Sequence, residues 1–293
     1  MHKSVLLNEV IEYLSPNANQ NFIDCTVGEA GHSLAILEKI KPNGKILGID
    51  VDAESLKRIK TKERLILARG NFKDLKKIAE ENNFHKVDGI LFDLGLSSWQ
   101  IDESGRGFTF KKDEPLSMIL SSDQVVTAQE IINTWPEESL LEIFKKYGEE
   151  RFARKIVQKI IQQRGLSPIK TTLQLLEVIK RSVPFSRFGR GRVERVAARI
   201  FQALRIVVND ETENLEHGLE QTLQILNQGG RVVVISFHSL EDRIVKWFFK
   251  EKEQEGKIRI LTEKPITAGE AEIIVNPRSR SAKLRAAMFI GEI

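Results

Sequence analysis

Phe22-Ile-Asp-Cys-Thr-Val-Gly-Glu-Ala-Gly-His32 runs from a short β-rich stretch into a loop with glycines at 28 and 31, and residues 33–40 beyond it are apolar at helical spacing. That order is a β-loop-α unit. After an opening helix over 5–14, the alternation continues as strand 45–50, helix 53–60, strand 64–67, helix 72–81 and strand 87–93. Ile46-Leu-Gly-Ile49 and Gly89-Ile-Leu-Phe92 are continuous apolar runs, the signature of parallel strands covered on both faces. The reading is an α/β domain.

The alternation stops after Asp93. Residues 94–112 carry three glycines and paired serines without a clear period, whereas 123–205 read helical throughout, with segments at 129–133, 137–146, 151–163 and 172–181. The β signal returns at 230–237, an amphipathic helix follows over 240–250, and short strands are expected near 257–261 and 284–290, the last as an antiparallel edge. The α/β domain, 1–107 with 208–293, is therefore interrupted by an all-helical domain over 108–207.

Composition bounds the function. The 293 residues are 41% hydrophobic and 29% charged, which excludes bulk disorder, and the length suits one large or two modest domains. Cys25 is the single cysteine, so no internal disulfide forms, and the five histidines lack metal-ligand spacing; no metal is expected. The chain opens without a signal-peptide core and has no apolar run long enough to span a bilayer, so a cytoplasmic protein with no membrane partner is expected. Charge is unevenly distributed. Residues 151–205 carry fourteen Lys/Arg against Glu177 and Glu194, a net +12, so the rest of this +4 chain carries −8. Such asymmetry points to a polyanion, RNA or DNA, as partner of the helical insertion.

The strand ends carry the chemistry. Gly28 and Gly31 sit where a ligand meets the carboxyl edge of an open sheet, but the G-x-G-x-x-G fingerprint is absent, which disfavours NAD. Asp24 and Glu29 flank that loop and suit a ligand bearing an ammonium or a sulfonium; S-adenosylmethionine bears both. Asp50, chosen over Asp52, ends the second strand where an acid accepts from ribose hydroxyls. Phe72, after the third, offers an apolar face to adenine. Asp93 ends the fourth. Taken singly, each also reads as a turn residue, a helix cap or simple core; four on successive strand ends argue for a site.

Longer strings carry a resemblance. Asp93-Leu-Gly-Leu-Ser-Ser-Trp-Gln100, Arg106-Gly-Phe-Thr-Phe110, Tyr147-Gly-Glu-Glu-Arg-Phe-Ala153, Phe201-Gln-Ala-Leu-Arg-Ile206, Ser236-Phe-His-Ser-Leu-Glu-Asp-Arg-Ile-Val-Lys246 and Asn276-Pro-Arg-Ser-Arg-Ser281 resemble the bacterial 16S rRNA cytosine-N4 methyltransferase family, from His2 to about residue 287. The resemblance implies a Rossmann-like class I methyltransferase domain with an inserted all-helical domain. It also implies S-adenosyl-L-methionine as cofactor, and as substrate one cytidine in the decoding region of 16S rRNA in the small ribosomal subunit. Carried over by motif, the cofactor contacts fall on Ala30, Gly31, His32, Asp50, Phe72, Asp93 and Gln100. The sequence departs from the family at Ala30, where Gly is usual. It departs again at Ser117 and Ile119, where an acid and a base are usual, and at Arg195-Val-Ala-Ala-Arg199, which lacks the usual His-Pro-Ala.

The exocyclic amine of cytosine is a weak nucleophile, so catalysis needs in-line alignment and acceptors for the amine hydrogens. Asp93 and the Leu94 carbonyl are the candidates. His238 is a second catalytic candidate, equally readable as a structural hydrogen-bonding residue. Arg187, Arg190 and Arg192, with Arg278 and Arg280 in the tail, are candidate RNA contacts. Trp99 and Phe108 are candidate wedges beside a flipped base, or interface core. An adenine-N6 or other RNA methyltransferase, and a non-catalytic ribosome-assembly factor, are the competing readings. A homodimer stays open.

Overall fold

The computed structural model describes residues 4–60, 62–183 and 190–291. The chain divides into two compact units, Met1–Gly95 with Thr212–Ile293, and Leu96–Glu211. The sequence reading put the joins at 107/108 and 207/208.

The first unit is an α/β sandwich. Along the chain it begins with α1 (Leu7–Leu14), β1 (Phe22–Asp24), α2 (Gly31–Lys39), β2 (Ile46–Asp50), α3 (Ala53–Arg58), β3 (Leu65–Arg69), α4 (Leu75–Glu81) and β4 (Val87–Asp93). Phe72–Asp74 form a single 3₁₀ turn ahead of α4. Where the sequence reading ended the third strand at Leu67, pairing with β2 continues to Arg69, which lies opposite Asp50. α3 starts at Asp52, whose carboxylate accepts from the Glu54 N–H, and stops two residues short of the expected Lys60.

The second unit contains α5 (Ser98–Asp102), α6 (Ala128–Thr134), α7 (Glu137–Lys146), α8 (Ala153–Leu166), α9 (Thr172–Ser182) and α10 (Arg190–Asn209). Its apolar residues close a core of their own, with Leu140, Phe144, Ile156, Ile160, Leu175, Ile179, Ile200 and Leu204 buried together. Among the described residues its regular elements are all helices; residues 103–127, between α5 and α6, are irregular apart from an isolated bridge between Pro115 and Thr171.

The chain returns to the first unit through α11 (Glu211–Ile225), β5 (Leu226–Ser236), α12 (Ser239–Gln254), β6 (Ile258–Ile260), β7 (Ile266–Thr267), α13 (Glu270–Val275) and β8 (Lys283–Phe289). The strands order as β3-β2-β1-β4-β5-β8-β6, with β7 also on β8. The first five are parallel, and β8 runs antiparallel to its neighbours.

Strand alternation explains why the runs are apolar without interruption. Ile23, Leu47, Ile49, Ile90, Phe92, Val232 and Val234 face one side, where α4, α11 and α12 supply Leu75, Leu215, Leu219, Val245 and Phe249. Phe22, Ile46, Leu91, Val233 and Ile235 face the other, against Val10 and Leu14 of α1 and Ile36 and Leu37 of α2. Both faces are dry, which is the doubly wound, Rossmann-like arrangement. The order of strand addition reverses between β1 and β4, so the carboxyl ends of those two strands form the crevice where such sheets take a ligand. No helix among the described residues is long and apolar enough to cross a membrane.

Candidate functional site

The crevice edge is assembled from short polar side chains at strand ends. At the end of β1, Asp24 is 2% exposed. Its carboxylate accepts from the Ser33 hydroxyl at 2.6 Å and from the Thr26 N–H at 3.2 Å. Burial pushes its carboxyl up from the ordinary range, opposed by the Ser33 hydrogen bond, the His32 imidazole and the Thr26 N–H. Asp24 thus clamps the loop to the start of α2. Of the two acids read as flanking the loop for a cation, it is engaged internally, whereas Glu29 is exposed.

The loop itself needs positive φ. Gly28 sits at φ 49° and Ala30 at φ 62°, so Ala30 holds the left-handed conformation that the glycine usual at this place adopts without strain. α2 then starts at Gly31 and brings in His32 one residue later.

Asp50, at the end of β2, reaches over to the loop that follows β1. One carboxylate oxygen accepts from the Gly28 N–H at 3.0 Å and the other from the Asp52 N–H at 2.9 Å. Each oxygen keeps a further lone pair. Burial raises its carboxyl to about 6, against the downward pull of those two hydrogen bonds. The helix cap is Asp52, so the structure separates the two acids into a capping residue and one at the crevice. Phe72 meets Phe92 edge-on, centroids 5.5 Å apart, and Gly218 of α11 packs so close that an added Cβ would lie 2.9 Å from the Phe72 ring.

Asp93, closing β4, carries an unsatisfied oxygen. Its N–H donates to the Thr26 hydroxyl at 2.7 Å, one carboxylate oxygen lies 3.5 Å from His32 Nδ1, and the other is buried with no partner. Burial raises this carboxyl to about 6; the His32 imidazole lowers it, while Asp24 and Glu241 raise it further. His32 Nε2 donates to the Val5 carbonyl at 2.9 Å. A proton on Nδ1 therefore makes the ring an imidazolium, and without one Nδ1 is an acceptor facing Asp93.

His238 is placed at the N-terminus of α12 as its cap. Its Nδ1 accepts from the Glu241 N–H at 3.3 Å, while Glu241 Oε2 accepts from the Phe237 and His238 N–H groups at 2.8 and 3.2 Å. This is a capping box with imidazole in place of a hydroxyl. The bond at Nδ1 puts the proton of the neutral ring on Nε2, which is buried 3.1 Å from Glu241 Oε1 but out of line for a hydrogen bond. Glu241, Thr26 and Ser33 are the contributors that sequence reasoning passed over. A Glu three residues past a candidate cap was the available signal for Glu241; Thr26 and Ser33 had none.

The remaining candidates scatter. Gln100, in the second unit, is 6% exposed and caps α5, its amide oxygen accepting from the Ser97 N–H at 2.9 Å. Arg192 lies 5.0 Å over the Phe152 ring. Arg187 and the Arg190 side chain lie outside the described residues. Arg278 is half-buried and Arg280 exposed, on either side of the fully buried Ser279. Arg106 lies 5.3 Å over Trp99, and Phe108 and Ile119 pack on the helical core.

The chain matches the MraW methylase family over residues 1–290. It is 46% identical to the ribosomal RNA small subunit methyltransferase H of Thermotoga neapolitana, covering 99% of this chain and 97% of that one. It is 43% identical to the protein of the same name from Clostridium botulinum (strain Loch Maree / Type A3), covering 97% of each. Among solved structures, an rRNA methylase from Streptococcus thermophilus aligns over 99% of both chains at 10% identity, with a TM-score of 0.43. A near full-length family match and relatives above 40% identity leave one assignment: the chain belongs to the MraW methylase family.

Proposed function

We propose that this chain transfers the methyl group of S-adenosyl-L-methionine to small-subunit ribosomal RNA, at the exocyclic N4 amine of a cytidine in the decoding region. The observation that carries the site assignment is the buried, partnerless carboxylate oxygen of Asp93 at the switch point of the sheet. Buried acceptors are ordinarily satisfied, so one left open at a crevice is an acceptor reserved for a ligand. The relatives' names support ribosomal RNA as substrate.

The donor set fits the cofactor. The ionised carboxyls of Asp50 and Asp93 give the crevice negative charge suited to a cation, the loop from Gly28 to His32 offers close backbone approach, and Asp50 keeps lone pairs for ribose hydroxyls. Phe72 is assigned to the adenine. Gln100, in the second unit, is assigned by its motif alone. When bound, S-adenosylmethionine supplies a methyl already activated by a sulfonium. The chain's own task is then positional. The Asp93 carboxylate and the Leu94 carbonyl accept the amine hydrogens, which frees the nitrogen lone pair from conjugation and aims it, and Asp93 holds the proton shed after transfer. His238 is retained as a lesser candidate beside the target base.

The deciding experiment is transfer of labelled methyl from S-adenosylmethionine to small ribosomal subunits lacking the modification, with naked ribosomal RNA in parallel and nucleosides identified by mass spectrometry. N4-methylcytidine in the decoding region is the expected product. N6-methyladenosine would replace the reading with the adenine alternative, and cofactor binding without transfer to any RNA would leave an assembly factor.

A further inference from the structure

α12 presents a basic, aromatic stripe that no catalytic assignment uses. Its inward face is spent in the core, with Val245, Phe248 and Phe249 buried. Outward, Arg243, Lys246, Trp247 and Lys250 fall at i, i+3, i+4 and i+7, one face of a helix. Trp247 is 59% exposed, the one exposed aromatic among the large hydrophobic side chains of the described residues. Lys246 and Lys250 hold their ammonium groups 5.5 and 5.4 Å from its ring centroid.

The charges on this helix are unevenly compensated. Asp242 is bound by Arg285 and Lys283, Glu241 caps the helix, Glu251 pairs with Lys252, and Glu253 accepts from the Ile260 N–H. Each of these acids is therefore engaged, and none meets Lys246 or Lys250. Among the described residues those two lysines touch no carboxylate within ion-pair distance. An exposed indole flanked by uncompensated ammonium groups is the combination that stacks a nucleobase and neutralises the phosphates beside it.

We propose that the Arg243–Lys246–Trp247–Lys250 face of α12 is a docking surface for single-stranded RNA flanking the target nucleotide, with one base stacked on Trp247. The proposal rests on the reading of RNA as substrate. α12 starts at the crevice edge, and at 1.5 Å per residue Trp247 lies about 12 Å along it, outside the cofactor's reach but close enough to hold the strand leading to it. A second copy of the chain would set one positive stripe against another, which disfavours self-association through this face.

The test uses the full chain, a labelled twelve-nucleotide single-stranded RNA of mixed sequence, and undermethylated small subunits. Trp247→Ala is expected to weaken oligonucleotide binding about tenfold, with Trp247→Phe retaining most of it. The double variant Lys246→Ala/Lys250→Ala is expected to flatten the slope of log affinity against log salt by about 1.4, two phosphates at roughly 0.7 each. KM for subunits should rise in both, with kcat and S-adenosylmethionine affinity held. Unchanged RNA affinity and KM would overturn the proposal, as would light scattering that shows a wild-type dimer dissociated by Trp247→Ala. If the wild type methylates no RNA, the functional reading falls, while the oligonucleotide titration still tests the stripe.

Discussion

His32 stands between two oxygens, its Nε2 2.9 Å from the Val5 carbonyl and its Nδ1 3.5 Å from the Asp93 carboxylate. Because Nε2 is committed as a donor, Nδ1 of the neutral ring is an acceptor facing the carboxyl. Burial raises that carboxyl to about 6, as it does that of Asp50, so both are largely ionised at neutral pH and become neutral below it. The site is therefore poised to change charge just below neutrality.

Affinity for S-adenosylmethionine should rise with pH from 5 to 7 and level off above it. Only the ionised carboxyls attract a cation and accept strongly from ribose hydroxyls, so below about 6 each carboxyl costs up to roughly tenfold in affinity per pH unit. S-adenosylhomocysteine, without the sulfonium charge, should give a shallower profile. Isothermal titration at pH 5, 6, 7 and 8 reads both, with proton release on binding near pH 6. Matching flat profiles would assign both acids to scaffolding.

Asp93→Asn should stabilise the ligand-free protein while impairing transfer. A carboxyl raised from about 4 to about 6 favours the neutral form when folded; that stability is complete below pH 4 and is lost as pH rises through 6. That raise amounts to ~3 kcal/mol at most, and with the side chain 24% exposed solvent screening reduces it to about 1–2 kcal/mol. Melting temperature should rise at pH 7.5 and not at pH 4. Methyl transfer at saturating cofactor should fall by about a hundredfold or more. Loss of cofactor binding with no separable loss of transfer would move Asp93 from the amine to the cofactor.

His238 can be assigned by comparing two substitutions. Asn caps helices as well as Ser or Asp do, whereas Ala costs about 1 kcal/mol at such a position. If the ring only caps α12, His238→Asn keeps both stability and rate, and His238→Ala loses stability alone. If it handles a proton, both variants lose about a hundredfold in kcat at saturating substrates and flatten the pH–rate profile. Thermal melts and single-turnover rates on the two proteins separate the cases.

The strand ends were legible because their cause is local. Phe22, Ile46 and Leu91 alternate with Ile23, Leu47 and Phe92, so a run buried on both faces must be apolar at every residue, whatever it packs against. α11 was not, since Glu211-Thr-Glu-Asn-Leu-Glu-His-Gly is mostly polar and its three core contacts, Leu215, Leu219 and Ile225, are spread over three turns. β7, two residues long, carries no periodicity at all. Within the site, Asp24 resembled a ligand acid until α2 folded Ser33 back onto it, and the Asp93–His32 pair joins residues brought together only by the sheet. Such contacts depend on tertiary structure, which spacing along the chain does not encode.

The last prediction tests Phe72 without touching it. Gly218 lies on α11 where a Cβ would come within 2.9 Å of the Phe72 ring and 3.1 Å of its carbonyl oxygen. α11 is packed through Leu215 and Leu219 and cannot retreat easily, so Gly218→Ala must push Phe72 and the turn at 72–74 outward. Overpacking of this kind costs about 1–3 kcal/mol, offset in part by the better helix propensity of Ala. If Phe72 faces the adenine, Gly218→Ala should weaken S-adenosylmethionine about tenfold and leave methionine-only analogues unaffected, because only the adenine end is displaced. RNA binding by α12 should not change. Equal losses for analogues with and without adenine would place Phe72 in the core alone, its contact with Phe92 being structural.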